Sequence, residues 1–106
     1  MAEKITANTP ARSMLRIAMT DCGRTYEEVS RDMGYSGHVT ISHFLAGRTL
    51  IPIDSAYDLG LAAGMSPRDA EDFFLRNLRE RAPKAATVVN RIMTRLSTQN
   101  DEGGAK

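Results

Sequence analysis

Cys22, His38, His43, Asp54 and Asp58 are the side chains that could first suggest a reaction centre. The two histidines are five residues apart, which on a helix puts them on different faces. No third donor lies near them, so no metal site is expected. Cys22 is the only cysteine. Alone it makes no internal disulfide and lacks the spacing of a zinc ligand. As a nucleophile it would need a basic partner, and both histidines lie beyond the following turn. It reads as a small buried apolar residue near a helix end. Asp54 and Asp58 are one turn apart, but a helix cap and a surface role explain them. There is no Gly-rich phosphate loop and no set of nucleophile, base and orienter. The expectation is a chain that is not an enzyme and takes no cofactor and no metal.

With 106 residues the chain has room for one domain and one modest core. Hydrophobic residues make up 42% and charged residues 25%, which places it among globular proteins rather than disordered ones. No apolar run approaches the roughly 20 residues of a bilayer span. The opening MAEKITANTPARS lacks the apolar centre of a signal peptide. A cytoplasmic location without a membrane partner is expected. Net charge is only +1, a weak footprint for a nucleic-acid binder. Its distribution is uneven: Arg68, Arg76, Arg79, Arg81, Lys84, Arg91 and Arg95 outnumber Asp69, Glu71, Asp72 and Glu80. Arg12, Arg16, Arg24 and Arg48 add charge nearer the N-terminus. A solvated helix face produces the same pattern, so it permits a phosphate or protein partner without requiring one.

The elements read as helices throughout. Residues 1–9 are polar and expected to be flexible. Thr9-Pro10 starts a first helix, with Met14, Leu15, Ile17 and Ala18 as its apolar face and Gly23 as its stop. Thr25-Tyr26-Glu27-Glu28 is a capping box opening a second helix, with Val29 and Met33 inward and Gly34 at its end. Ser36 is the cap candidate of a third, over residues 37–46, which buries Ile41, Phe44 and Leu45 and stops at Gly47. After the loop RTLIPI, Asp54 or Ser55 caps a fourth, which stops at Gly64 and carries Ala56, Leu59, Ala62 and Ala63. Ser66-Pro67 opens a fifth with Phe73, Phe74, Leu75 and Leu78. Ala82-Pro83 breaks it, and a sixth runs to about Thr98 before the polar tail 99–106, expected to be disordered. The fold class is all-α, a five- or six-helix bundle.

Between residues 25 and 48 the details add up. Capped helix, Gly34, polar turn, second helix with an inward Ile41 and Phe44, then Gly47-Arg48 and Pro52 follow in order. With Thr25, Glu28, Val29, Met33-Gly34, Ser36, Thr40-Ile41-Ser42, Leu59 and Gly64-Met65-Ser66, this resembles the lambda-repressor-like helix-turn-helix domains, also called the XRE or Cro/C1 type. The resemblance covers roughly residues 12–66. The interval from Gly34 to Gly47 is one residue longer than the family's, and the extra residue fits the turn around Tyr35 to Gly37.

The resemblance implies a DNA-binding domain at 10–66 whose third helix enters the major groove of double-stranded DNA. Counted from Gly47, base-edge positions fall on His38, Val39 and His43, with Thr40 and Ser42 beside them. Histidine can donate to or accept from purine edges, and Val39 can touch a thymine methyl. Ser36, Gly37, Arg48 and Thr49 would meet backbone phosphate. The helix has no Arg, Lys, Asn or Gln, the side chains of the best bidentate base contacts, so direct readout would be modest. Specificity would then draw on dimerisation or DNA shape.

Residues 67–98 form a C-terminal helical extension. Val88, Ile92 and Leu96 make an i, i+4, i+8 stripe flanked by Val89 and Met93. The stripe either folds back on the domain or serves a homodimer. Because the repressor-like core closes near residue 66, a second chain is the preferred expectation. The function expected is a small transcription regulator, a dimeric repressor of phage, plasmid or toxin–antitoxin type, with a toxin or other regulator as a further protein partner. The alternative is a protein-interaction module that uses the same helical fold without reading DNA.

Overall fold

The structure, a computed structural model, describes residues 9–104, and side chains through residue 98. Within them there are six helices and no strand. They are α1 (Pro10–Cys22), α2 (Tyr26–Met33), α3 (Val39–Ala46), α4 (Ile53–Ala62), α5 (Pro67–Arg81) and α6 (Pro83–Gly104). The expected flexible segment 1–9 lies outside the described residues except for Thr9.

Local chemistry explains most helix starts. The Thr9 hydroxyl accepts from the Arg12 N–H, with Pro10 in the first turn of α1. Ser66 accepts from Asp69 N–H at 3.1 Å ahead of Pro67. The capping box of α2 is complete: Glu28 N–H donates to Thr25 Oγ1 at 3.1 Å, and Thr25 N–H donates to Glu28 Oε1 at 2.9 Å.

Two expected caps fail. α3 begins at Val39, with His38 at its cap position and no side-chain cap bond. Ser36 lies upstream, followed by Gly37, which disfavours an early helical start. The connection 34–38 thus takes up the extra length. α4 begins at Ile53 behind Pro52, again without a side-chain cap, so neither Asp54 nor Ser55 caps it. Pro52 is extended at φ −62° and ψ 137°, and its ring fixes that φ just ahead of the helix. At the other end, α6 runs on to Gly104, past the expected boundary at Thr98.

The bond from Thr25 N–H holds the Glu28 carboxyl below the usual glutamate range, with Arg24 and Arg31 adding to it. A depressed folded pKa adds stability above the ordinary glutamate range, and that stability is lost as pH falls through the lowered value. The urea midpoints of wild type and Glu28→Gln should therefore differ at neutral pH and converge in acid. A gap that stays constant with pH would refute this account.

The core lies where α1 to α5 meet. Ala11, Leu15, Val29, Ile41, Phe44, Leu59, Ala63 and Phe73 are almost fully buried there. Each such large side chain contributes about 1.5–3 kcal/mol before entropy. In α1 the buried stripe is Ala11, Leu15 and Met19, and Ile17, expected inward, is 59% exposed. Ile51 from the loop is also in the core, at 1% exposure. α4 and α5 approach closely at Gly60, where an added Cβ would lie 3.1 Å from Ala70 Cβ. α6 packs mainly on α5, and the long axis of the molecule is 51 Å against 22 Å for the short one.

Candidate nucleic-acid interface

α2 and α3 are consecutive, pack on each other and are joined by residues 34–38. Ile41, Phe44 and Leu45 seat α3 on the core. Tyr35 in the connection meets Phe44 edge-on, with ring centroids 6.2 Å apart at 73°. This contact ties the turn to the helix it precedes.

The C-terminal end of α3 is anchored by arginines from α1. Arg12 Nε donates to the Phe44 carbonyl at 2.8 Å, and Arg16 Nη2 donates to the Leu45 carbonyl at 2.8 Å. Those carbonyls belong to the last turn of the helix, where positive charge is favoured, and the Phe44 carbonyl also accepts from Gly47 N–H at 3.3 Å. Arg12 also donates to the Thr49 carbonyl at 3.4 Å and to Thr9 Oγ1 at 3.2 Å. Burial pushes the Arg12 guanidinium pKa down, and nearby Glu80 opposes that. Glu80 in turn accepts from Ala11 N–H at 2.9 Å. From α5, Asn77 Nδ2 and Arg81 Nη1 donate to the Ile51 carbonyl at 3.0 and 3.1 Å. Residues 47–51 are thus pinned from two sides. Arg24 repeats the device on α4, donating to the Ala62 carbonyl at 2.9 Å while pairing with Asp32.

On this frame the outer side of α3 presents Val39, 54% exposed, and Ala46. His38 is exposed just before the helix. Thr40, Ser42 and His43 are half-buried, more enclosed than the expected outward positions. Ser36 and Gly37 are exposed in the connection rather than in the helix. Gly47 ends α3 at φ 78°, a left-handed value that glycine adopts without strain. The N–H groups of Gly47 and Arg48 turn back to the Phe44 and His43 carbonyls, which leaves the side chains of Arg48 and Thr49 exposed.

A cleft of about 400 Å³ opens beside the turn, lined by Glu27, Arg31, Tyr35, Ser36 and His38. Ser30 also lines it, and its hydroxyl is buried without a hydrogen-bond partner among the described residues. No side chain caps α3, whose first residue Val39 follows His38 of this lining. Arg31 is a cation at this place that the sequence reading did not single out. Its signal was its position one turn before the connection.

Arg12, one of the charges that a solvated face would account for, is instead buried. A signal existed, since residues 12, 15 and 19 follow i, i+3, i+7 along the buried face of α1. Among the described residues there is no group of three His, Cys, Asp or Glu side chains placed to hold a metal ion. No described helix is long and apolar enough to cross a membrane.

Comparison with protein-family models, with curated proteins and with solved structures returned no match for this chain. A functional reading therefore rests on the geometry just described.

Proposed function

We propose that this chain is a sequence-specific regulator that binds double-stranded DNA, with α3 in the major groove. The observation that carries the reading is the mounting of α3. Its C-terminal end is held by Arg12 and Arg16 of α1, while Val39 and the flanking His38 and Arg48 remain exposed and His43 half-buried. His38, Val39, Thr40, Ser42 and His43 would meet base edges. Ser36, Gly37, Arg48 and Thr49, joined by Arg31, would meet phosphate. A small regulator of this kind acts most simply as a repressor, by occupying its site.

The second reading is a protein-interaction module, whose partner would be a toxin or another regulator. It is favoured by the absence of Arg, Lys, Asn and Gln from α3 and by the exposed Val39 and Leu50.

Selection from a random duplex library, followed by anisotropy at several salt concentrations, separates the two. A recovered motif bound with steep salt dependence is expected. His43→Ala should relax specificity at a cost of about 1–3 kcal/mol, and Arg48→Ala should weaken all sequences and lower the salt slope by about one. If no motif is recovered, and the variants bind as weakly as wild type, the DNA reading fails and the interaction module takes its place.

A further inference from the structure

The cleft between α2 and the turn that follows it holds a buried hydroxyl with nothing to bond. Ser30 is the buried member of its lining, 2% exposed, and its Oγ has no hydrogen-bond partner among the described residues. A serine inside a helix can bond a carbonyl of the preceding turn. A buried hydroxyl that bonds neither backbone nor side chain points to a partner outside the chain. Glu27 and Arg31 line the same cleft one turn apart on α2. Neither is in an ion pair or a side-chain hydrogen bond among the described residues, whereas the same spacing pairs Asp72 with Arg76 at 3.2 Å. Ser36 and His38 add exposed polar groups at the rim.

We propose that this cleft binds a phosphate that still carries a proton, either inorganic phosphate or a monoester. Arg31 and Ser30 donate to its oxygens, and Glu27 accepts from its P–OH group. A guanidinium is suited to phosphate oxygens, and the Ser30 hydroxyl finds there the acceptor that its own chain does not supply. The carboxylate sets the selectivity. It accepts a hydrogen bond from an anion that has a proton to give, and it repels one that has none. Inorganic phosphate keeps a P–OH at neutral pH, whereas sulfate and a phosphodiester have none. Glu27 thus turns the cleft away from a DNA backbone and toward a free phosphate. The volume of about 400 Å³ leaves room for the organic part of an ester. Arg31 serves a duplex or the cleft, not both at once. The cleft's ligand does not rest on DNA binding, and its test uses none.

The test follows the amide chemical shifts of the isotope-labelled full chain during titration with sodium phosphate, sodium sulfate and dimethyl phosphate, at one ionic strength and neutral pH. Phosphate should shift the amides of residues 30, 31 and 35–38 saturably. Sulfate and dimethyl phosphate should bind at least about tenfold more weakly, the worth of one hydrogen bond to a charged group. Arg31→Gln should abolish phosphate binding. Ser30→Ala should weaken it about fivefold, while the melting temperature stays or rises, because the hydroxyl removed bonds nothing in the protein. Glu27→Gln should let sulfate bind as phosphate does. Methyl phosphate at pH 6, where about half of a monoester keeps its proton, separates the two sources. An affinity equal to that of phosphate or higher assigns an ester, and a lower one assigns the free ion. Absence of a saturable phosphate shift at these amides overturns the proposal, as does an unchanged affinity in Ser30→Ala. Dimethyl phosphate bound as tightly as phosphate makes the cleft a seat for a DNA backbone and overturns the role of Glu27.

Discussion

Arg12→Leu should lower the stability of the domain by about 2–4 kcal/mol, because it removes the buried donor to the Phe44 and Thr49 carbonyls and leaves the Phe44 carbonyl only the 3.3 Å bond from Gly47 N–H. Arg12 is 4% exposed, and its guanidinium holds the Phe44 and Thr49 carbonyls together with Thr9 Oγ1. Leucine fills much of the volume but donates nothing. Each buried carbonyl left without a donor costs about 1–3 kcal/mol, and at this chain length each kcal/mol lowers the melting temperature by about 4–8 °C. Arg12→Lys should recover only part of the loss, since an ammonium cannot reproduce the planar fork. Urea denaturation followed by circular dichroism gives the loss directly. Hydrogen exchange localises it, with the amides of residues 47–49 expected to lose protection first. A leucine variant as stable as wild type would mean that desolvating the guanidinium offsets its bonds in full, an outcome known for some buried charges. The same loosening should weaken the proposed DNA binding, because Arg48 follows directly on the end of α3 that Arg12 holds.

Gly64→Ala should cost about 2–4 kcal/mol for a different reason. Gly64 has φ +106°, and an added Cβ would lie 2.5 Å from Cys22 Sγ and 2.7 Å from Cys22 Cβ. The sulfur could rotate away, but the Cys22 Cβ is fixed by the backbone of α1. Strain in the left-handed region contributes about 1–2 kcal/mol, and overpacking about 1–3 kcal/mol. Gly34 supplies the control. It has φ +78° with nothing within 4 Å of an added Cβ, so Gly34→Ala should show the strain alone. Cys22→Gly combined with Gly64→Ala should recover the overpacking part, visible as a coupling in a double-mutant cycle. Equal losses at Gly64 and Gly34 would show that the contact with Cys22 contributes nothing. Cys22, expected to be buried, is instead an exposed free thiol whose Sγ lies 3.5 Å from the Gly64 carbonyl, because it is the last residue of α1.

Helix identity was legible where side chain and backbone interact within one turn. Thr9-Pro10, Thr25 with Glu28 and Ser66-Pro67 all stand where caps were expected, because a cap bonds a backbone N–H two or three residues on. The inward stripes of α3 and α4 were legible from the helical period. The misreadings share a cause. Ser36, Asp54 and Ser55 are good cap residues that the backbone does not use, because the connections at 34–38 and 47–52 are shaped by Tyr35 on Phe44 and by Ile51 entering the core.

Residue types and spacing by themselves determined an all-helical chain, the limits of α1, α2 and α5 at their N-termini, and the inward positions Val29, Ile41, Phe44, Leu45, Ala56 and Leu59 of the short helices. Only the tertiary structure decided that Arg12, Arg16 and Arg24 are anchors for helix ends rather than solvated charge, that Arg31 of α2 lines one cleft with His38, and that the stripe of α6 is left exposed among the described residues. The physical reason is range. Capping and amphipathic periodicity act within a few residues and leave a mark in the sequence. The bonds of Arg12 to Phe44 and of Asn77 to Ile51 join residues 32 and 26 positions apart, and no local pattern records them.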